Sequence, residues 1–247
     1  MDPAPPTVSV DQIIEIAHAA PGPASDEITE TLHSTSPRVR FLKACSPSAV
    51  VLDLGAGEGS LQIFREWLSP ARPDIQMYAV SLEKGPYFDS YVDYQLANFN
   101  SEKPDFGGIR FDAIIACHFV EHIEGGVGAL AAWAKTRLAP GGRIYVEVPS
   151  VFSKAAPSRS EYAEASLDVS CTNFFDDYTH IDTVSLPDIR SGLEAHGLFI
   201  EESGFWRNPY LEDSLLQRGA ADGDQYLATV GVWMKTYFCQ YAVAVLP

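Results

Sequence analysis

A glycine-rich turn with acidic residues on both sides follows the first strongly apolar stretch of the chain. Three glycines form the turn in the pattern G-x-G-x-G: Gly55, Gly57 and Gly59. Glycine lets the backbone turn sharply and lets a ligand approach without a Cβ in the way. Ser60 stands where a dinucleotide-binding G-x-G-x-x-G turn has its third glycine, and Asp53 and Glu58 would repel a pyrophosphate. The turn therefore predicts a site for a small ligand that carries positive charge.

Three of the six histidines stand where they could transfer protons: His118, His122 and His180. An imidazole suits this task because its pKa lies near neutral pH. His118 directly follows the apolar run Phe111–Cys117, and His122 comes four residues later, so a helical turn would place both on one face. We expect at least one of the three to act as a general base. The other histidines are expected to have surface or packing roles: His18, His33 and His196.

Three segments occur in an order and spacing that coincidence rarely produces. They are Val50–Leu61 with its glycine turn, Phe111–Ile123 with a Phe-Asp start and a Glu-His end, and Leu138–Pro149 with a Pro-Gly-Gly turn. Together they resemble the class I methyltransferases that use S-adenosylmethionine (SAM), over residues 36–206. The resemblance implies that SAM is the cofactor and that its sulfonium-bound methyl group is transferred. Such a transfer depends mainly on alignment of the nucleophile, the methyl group and the sulfur.

The resemblance also implies where the cofactor binds, at the ends of the first four strands. The expected contacts are Asp53, Gly55, Ala56 and Gly57 at its amino-acid end, Ser81, Leu82 and Glu83 near the ribose, Asn98 and Phe99 at the adenine, and Cys117 at the end of the fourth strand. The family usually has an acidic residue where Ser81 stands and an aspartate where Asn98 stands. Either Glu83 reaches back to the ribose hydroxyls, or Ser81 holds them more weakly.

A polar and aromatic segment, Asn173–His180, has the sequence NFFDDYTH. It is similar to the N-F-[YF]-D-D-P-T-H segment of methyltransferases associated with sugars and surface polysaccharides, with Tyr178 in place of the proline. The resemblance implies a small, polar, sugar-like acceptor that is methylated on an oxygen. The alternative is a loop whose Asp and Asn side chains cap the following helix.

Other functions stay open at the level of sequence. Asp176 and Asp177 could join the three histidines around a divalent metal, but their spacing is not compact, and we expect no metal. A chain with this fold could also bind SAM without turnover, for which Ser81 and Asn98 are the hints, or methylate a different small molecule. An NAD or nucleotide-sugar enzyme is disfavoured by Ser60 and by the acidic turn.

The candidate cofactor-binding and catalytic residues must be positioned by the strands and helices of the fold. Apolar runs alternate with helix-forming stretches along the chain. The runs are 49–54, 75–80, 91–97, 111–117, 143–148, 198–204 and 237–246. The alternation predicts an α/β fold with a Rossmann-like, doubly wound, seven-stranded sheet that is mostly parallel. A helix over 225–237 would let the last strand return antiparallel. Further helices are expected at 10–20, 36–42, 61–68 and 186–196.

We divide the chain into an N-terminal arm with helices, residues 1–35, and a single SAM-binding domain, residues 36–247. The arm is rich in proline. Two stretches exceed a minimal fold of this class: 150–182 and 207–231. Long insertions that follow strands at the ligand-binding edge are usually functional, and these carry several aromatic residues. We therefore predict that both are lids over the ligands.

The composition narrows the range of partners. The 247 residues carry a formal net charge of −16, which disfavours nucleic acid, and the small basic cluster around Arg38, Arg40 and Lys43 is expected to be a solvated helix face. Four scattered cysteines without a C-x-x-C pair predict neither a zinc site nor a disulfide framework. No signal peptide is apparent, and no apolar stretch reaches the ~20 residues of a membrane helix. We expect a cytoplasmic protein with a small-molecule acceptor, and a homo-oligomer is compatible with the sequence.

Overall fold

The computed structural model describes residues 7–19 and 25–247. The prolines of the predicted arm lie outside the described residues: Pro3, Pro5, Pro6, Pro21 and Pro23. The chain forms two compact units. The first comprises Met1–Thr35, Pro149–Thr183 and Phe205–Gln240, and the second comprises Ser36–Val148, Val184–Gly204 and Tyr241–Pro247.

Eight α-helices occur in the described residues. They are α1 Val10–Ala17, α2 Ser25–Thr35, α3 Pro37–Lys43, α4 Gly126–Arg137, α5 Arg159–Glu164, α6 Leu186–Glu194, α7 Glu212–Asp222 and α8 Gln225–Thr236. Pro37 occupies the first position of α3, where its missing N–H costs no hydrogen bond. Across residues 7–19 and 25–247, every helix is too short or too polar to cross a membrane.

Seven strands form one sheet. They are β1 Val50–Leu54, β2 Gln76–Ser81, β3 Asp93–Leu96, β4 Phe111–Cys117, β5 Leu138–Pro149, β6 Phe199–Phe205 and β7 Cys239–Val245. Their order is β3-β2-β1-β4-β5-β7-β6. The pairs among the first five strands are parallel, whereas β7 runs antiparallel to both of its neighbours. This confirms the predicted Rossmann-like, mostly parallel sheet with an antiparallel last strand.

The central strands are in register at their carboxyl ends. Leu54 of β1 pairs with Val80 of β2 on one side and with Ala116 of β4 on the other. Because parallel strands end at the same edge of a sheet, the segments that follow these three strands begin side by side. This edge carries most of the residues for which chemistry is predicted.

Both faces of the sheet are covered within the second unit. Successive side chains of a strand point to opposite faces. In β1, Val51 therefore packs in a cluster with α3, whereas Leu52 packs in a second cluster with α4 and α6. The central strands are thus buried on both sides, which accounts for their mostly apolar sequence.

The helix predicted for residues 61–68 is wrong in type and length. The segment forms a 3-10 helix, Ser60–Arg65, and Leu68 has a left-handed backbone with φ of +68°. The ammonium group of Lys43, expected on a solvated helix face, lies within hydrogen-bond distance, 2.7 to 3.2 Å, of four carbonyl oxygens at and after the end of this helix: those of Arg65, Trp67, Leu68 and Pro70. These carbonyls are satisfied by an ammonium group, so the chain needs no further α-helical turn.

The N-terminal helices are part of the first unit and share its core. Ile13 of α1 is buried with Leu216 of α7 and Val232 of α8. The helices α7 and α8 approach closely, since a Cβ on Gly219 would lie 2.4 Å from the backbone nitrogen of Ala228. The helices α7 and α8 make up most of the stretch 207–231. The N-terminal helices α1 and α2 belong to the same compact unit as most of the two insertions, 150–182 and 207–231.

Candidate active site

The glycine turn after β1 has a left-handed backbone at all three glycines. The φ angles are +81° at Gly55, +55° at Gly57 and +81° at Gly59. The N–H groups of Gly55 and Ala56 both donate to the carbonyl oxygen of Val80 at 2.9 Å, so the turn does not offer them to a phosphate. A Cβ on Gly57 would meet no atom within 4 Å, and the backbone there borders open space. This cradle fits the predicted contact with the amino-acid end of SAM.

Asp53 in β1 is buried beneath this turn, with 5% of its surface exposed. The hydroxyl of Tyr91 donates to Asp53 Oδ2 at 2.6 Å. Burial raises the pKa of Asp53 to about 6, while the hydrogen bond from Tyr91 and the positive charge of Arg38 act in the opposite direction. Asp53 is therefore largely ionised at neutral pH, and its carboxylate suits an ammonium group as ligand.

His118 follows β4 at the same edge of the sheet. Its backbone is left-handed, with φ of +49°, and its N–H donates to the carbonyl oxygen of Glu147 at 2.8 Å. The ring lies between two carboxylates, with Nδ1 at 3.3 Å from Glu121 Oε1 and Nε2 at 3.5 Å from Glu147 Oε1. A left-handed backbone outside glycine is uncommon and is found often at functional sites.

Glu147 of β5 is fully buried and held in place by its neighbours. Tyr145, two residues earlier and on the same face of the strand, donates its hydroxyl to Glu147 Oε2 at 2.5 Å. Burial by itself raises the pKa of Glu147, but the neighbouring imidazole of His118, the charge of Arg38 and the hydrogen bond from Tyr145 outweigh it. The pKa therefore lies below its usual range. Glu147 is a buried anion.

Glu121 is the second carboxylate beside His118, and its surface is 3% exposed. Within the part of the chain that the structure describes, neither of its oxygens accepts a hydrogen bond, and Oε1 lies 3.3 Å from Nδ1 of His118. Glu147 is thus the fixed partner of the imidazole, and Glu121 the less constrained one.

The histidine turn and the glycine turn are in contact. A Cβ on Gly55 would lie 2.7 Å from Cδ2 of Phe119, the residue after His118. Cys117, the residue before, has a thiol whose pKa is raised well above its usual value by burial and by the negative charge of Glu147, so it stays neutral. The structure therefore brings His118, Phe119 and Cys117 beside the predicted cofactor turn.

The residues predicted to hold the ribose and the adenine lie after β2 and β3. Ser81 ends β2, while Leu82 and Glu83 are exposed in the loop that follows. Asn98 is exposed, and its side-chain oxygen accepts the N–H of Asn100 at 2.9 Å in a local turn. Phe99 is 3% exposed and belongs to the core. Their contacts with the cofactor stay predictions.

The remaining candidate residues are divided between the two units. His122 ends a 3-10 helix, Val120–His122, in the second unit. His180 is in the first unit, where its Nδ1 lies 2.6 Å from the carbonyl oxygen of Phe174. The carboxylate of Asp176 accepts the N–H groups of Arg159, Thr172 and Asn173 at 2.8 to 3.2 Å.

Asp177 likewise accepts the N–H and the hydroxyl of Thr179 at 2.8 and 2.6 Å. The two carboxylates that were considered as metal ligands thus stabilise their own loop. They do not cap the following helix, as the alternative for the segment Asn173–His180 expected, because Ser185 caps α6.

Five residues of this site were not predicted from the sequence: Arg38, Tyr91, Glu121, Tyr145 and Glu147. Arg38 was expected on a solvated helix face, but its charge acts on Asp53 and Glu147. A glutamate inside the otherwise apolar run of β5 was the available signal for Glu147. For Tyr91 the sequence holds no comparable signal, because its role depends on how the chain folds after β2.

Comparisons with known proteins agree with this geometry. The family described as a methyltransferase domain matches residues 28–203. Phosphoethanolamine N-methyltransferase 2 from Haemonchus contortus, solved with SAM, is 16% identical with a TM-score of 0.57 over 97% of this chain and 57% of that chain. A putative sarcosine dimethylglycine methyltransferase from Galdieria sulphuraria is 13% identical, with a TM-score of 0.55 over 93% of this chain and 92% of that chain.

A third similar structure is 1,6-didemethyltoxoflavin-N1-methyltransferase from Burkholderia thailandensis, solved with its substrate and S-adenosylhomocysteine. It is 15% identical, with a TM-score of 0.52 over 98% of this chain and 92% of that chain. A comparison with curated protein sequences gives no significant match. Similarity at this level of identity shows a shared fold.

We expect Gly57→Val to weaken SAM binding at least about tenfold, because a branched side chain would fill the open space beside the turn where the ligand passes the backbone. Isothermal titration calorimetry with SAM measures the effect. Gly107→Val is the matched control, since Gly107 also has a positive φ, +65°, and open space around its Cβ.

Both substitutions impose a similar backbone strain, so the melting temperatures of the two variants should fall by similar amounts. Only Gly57→Val should lose affinity. Equal SAM affinity in the two variants would show that the cofactor does not pass this turn.

Proposed function

The chain belongs to the family of proteins with a methyltransferase domain, and from this premise we propose that it transfers a methyl group from SAM to an oxygen of a small, polar, sugar-like acceptor. The observation that supports this most is the placement of His118 between two buried carboxylates, beside the glycine turn. When bound, SAM supplies an electrophilic methyl group on a sulfonium. What the chain must add is alignment of the acceptor and removal of its proton.

We propose that Asp53, Gly55, Ala56 and Gly57 hold the amino-acid end of SAM. Asp53 is largely ionised at neutral pH, because its pKa is about 6, and it can accept from the ligand ammonium. Ser81, Leu82 and Glu83 are proposed for the ribose, and Asn98 with Phe99 for the adenine. The exposed carboxylate of Glu83 is the better acceptor for two ribose hydroxyls than the single hydroxyl of Ser81.

His118 is proposed as the general base that takes the proton of the acceptor hydroxyl. Since both ring nitrogens face a carboxylate, the imidazole must keep one of these contacts and release the other to reach the acceptor. Glu147 is anchored by Tyr145, whereas neither oxygen of Glu121 accepts a hydrogen bond among the described residues. We infer that Nδ1 turns from Glu121 to the acceptor and that Glu147 stabilises the imidazolium that forms.

His122 and His180 stay candidates for the same task, and the lid role of 150–182 and 207–231 stays a proposal. Exposed aromatic side chains in the first of these segments suit the faces of a sugar. Phe175 is 70% exposed and Tyr178 is 97% exposed. Aromatic rings present such apolar faces at low conformational cost. We propose that these two rings bind the acceptor.

A protein that binds SAM without turnover is the alternative function. Release of S-adenosylhomocysteine separates the two, since a binding protein produces none. The assay incubates the protein with SAM and a panel of sugars, sugar nucleotides and small amines. Turnover with sugar hydroxyls supports the proposal, turnover with amines alone corrects the acceptor, and no turnover with any member favours the alternative.

With the acceptor found in that panel, we expect His118→Asn to lower kcat by roughly 10²–10⁴-fold and to leave SAM affinity nearly unchanged. Asparagine tolerates the left-handed backbone but cannot act as the base. His196→Ala is the control, because His196 follows α6 and its Nδ1 lies 3.0 Å from the carbonyl oxygen of Gly192 in that helix. Steady-state kinetics and calorimetry measure the two quantities. Full activity in His118→Asn would refute the base assignment.

We expect Tyr178→Ala to raise the KM for a sugar-like acceptor about tenfold, with SAM affinity unchanged, because a stacked ring contributes on the order of 1 kcal/mol beyond its buried area. Tyr210→Ala is a matched control at a tyrosine that is 93% exposed in the other insertion. An unchanged KM in Tyr178→Ala would remove this ring from the acceptor site.

A further inference from the structure

Tyr91 lies directly after the loop that follows β2, and its ring is buried against the glycine turn. Its hydroxyl oxygen is 2.6 Å from Asp53 Oδ2 and 3.2 Å from the carbonyl oxygen of Gly59. One phenol therefore joins the buried carboxylate of β1 to the backbone of the turn. None of the motifs in the sequence includes this residue.

The segment that carries Tyr91 is fitted closely to the turn. A Cβ on Gly85 would lie 2.3 Å from the carbonyl oxygen of Glu58, and the N–H of Tyr87 donates to the same oxygen at 3.2 Å. A Cβ on Gly59 would lie 3.0 Å from the ring of Phe88. The loop after β2 cannot move away from the turn without breaking these contacts, so the position of Tyr91 relative to Asp53 is set by the backbone.

A phenol has one hydrogen to donate, and here two acceptors face it. When Asp53 is ionised, the hydroxyl of Tyr91 donates to Oδ2, as its shorter distance indicates. When Asp53 is protonated, the carboxylic acid can donate to the phenol oxygen, and the phenol hydrogen is then available to the carbonyl oxygen of Gly59. The charge of Asp53 and the hydrogen bonding of the turn are therefore coupled through Tyr91.

We propose that Tyr91 is a positioning residue that holds Asp53 as an ionised acceptor for the ammonium group of SAM, and that this pair makes SAM affinity depend on pH. The proposal rests on the proposed function, in that SAM binds at the glycine turn. It adds to that function a residue without ligand contact that tunes cofactor binding.

The groups that face Asp53 come from three elements. Tyr91 comes from the segment after β2, Arg38 from α3 and Cys117 from β4. Burial and the charge of Asp53 raise the pKa of Tyr91 far above its usual value, so it stays a donor. Burial and the charge of Glu147 do the same for Cys117, and Arg38 stays charged. Of these four groups, Asp53 is the one that changes charge near pH 6.

The direction of the effect follows from these charges. Because burial raises the pKa of Asp53 to about 6, the carboxylate is neutral below that pH and ionised above it. An ammonium ligand needs the ionised form, so SAM affinity should rise as the pH rises through about 6. The hydrogen bond from Tyr91 lowers this pKa, so its removal should move the rise to higher pH.

The test is calorimetry between pH 5.0 and 7.5, a range in which most of the SAM keeps its α-ammonium charge. The proteins are the wild type, Tyr91→Phe and, as matched control, Tyr87→Phe, which removes a hydroxyl from an exposed ring in the same segment. The ligands are SAM and 5′-methylthioadenosine, which lacks the amino-acid end. We expect wild-type affinity for SAM to rise about tenfold across this range, while affinity for 5′-methylthioadenosine stays flat.

In Tyr91→Phe, SAM affinity at pH 6 should fall several-fold below the wild type, and the difference should narrow at pH 7.5. Tyr87→Phe should behave as the wild type. The same pH midpoint in Tyr91→Phe and the wild type overturns the proposal, and so does an equal pH dependence for both ligands. If the wild type binds SAM at no pH, the proposed function itself fails.

Asp53→Asn keeps the test decisive if Tyr91→Phe does not fold. Asparagine has the same shape as aspartate and is neutral at every pH. We expect this variant to bind SAM weakly and with an affinity that does not change between pH 5.0 and 7.5. A rise in affinity like that of the wild type would place the titrating group elsewhere.

Discussion

Three carboxylate side chains are buried near one edge of the sheet, and the surrounding structure depends on how their negative charges are compensated. They are Asp53 in β1, Glu121 after β4 and Glu147 in β5. An unpaired buried carboxylate is strongly destabilising. Tyr91 and Arg38 offset the charge of Asp53, and Tyr145, His118 and Arg38 offset that of Glu147. An edge built in this way attracts cations and repels phosphates.

Strand register and turn conformation bring the residues of this edge together. The register of β1 with β2 and β4 brings three chain segments together, and the N–H groups of Gly55 and Ala56 are used on Val80. The left-handed backbone at His118 turns the chain sharply after β4 and directs the imidazole between its two carboxylates. The contact of Phe119 with Gly55 then ties the histidine turn to the glycine turn. The proposed sites of cofactor binding and of proton transfer therefore share one rigid foundation.

Apolar runs were sufficient to predict the sheet, because buried parallel strands such as Phe111–Cys117 are mostly apolar and their bounds can be seen in the sequence. The short 3-10 helix after the glycine turn could not be predicted, since the ammonium of Lys43, distant in sequence, satisfies its carbonyls. Motifs identified residues at the carboxyl ends of strands, including Asp53 in β1 and His118 after β4. They did not identify Tyr91 or Arg38, whose roles arise from tertiary contacts with no local pattern. The acidic pair Asp176 and Asp177 had two interpretations, and only the structure shows that both cap their own loop.

The central claim is that this edge selects a cationic cofactor. Its most direct test is a calorimetric comparison of SAM with NAD at neutral pH, under the same salt concentration. The account predicts that SAM binds at least about a hundredfold more tightly, because Asp53 is largely ionised and the N–H groups of Gly55 and Ala56 are not offered to a pyrophosphate. Binding of NAD as tight as that of SAM would contradict it.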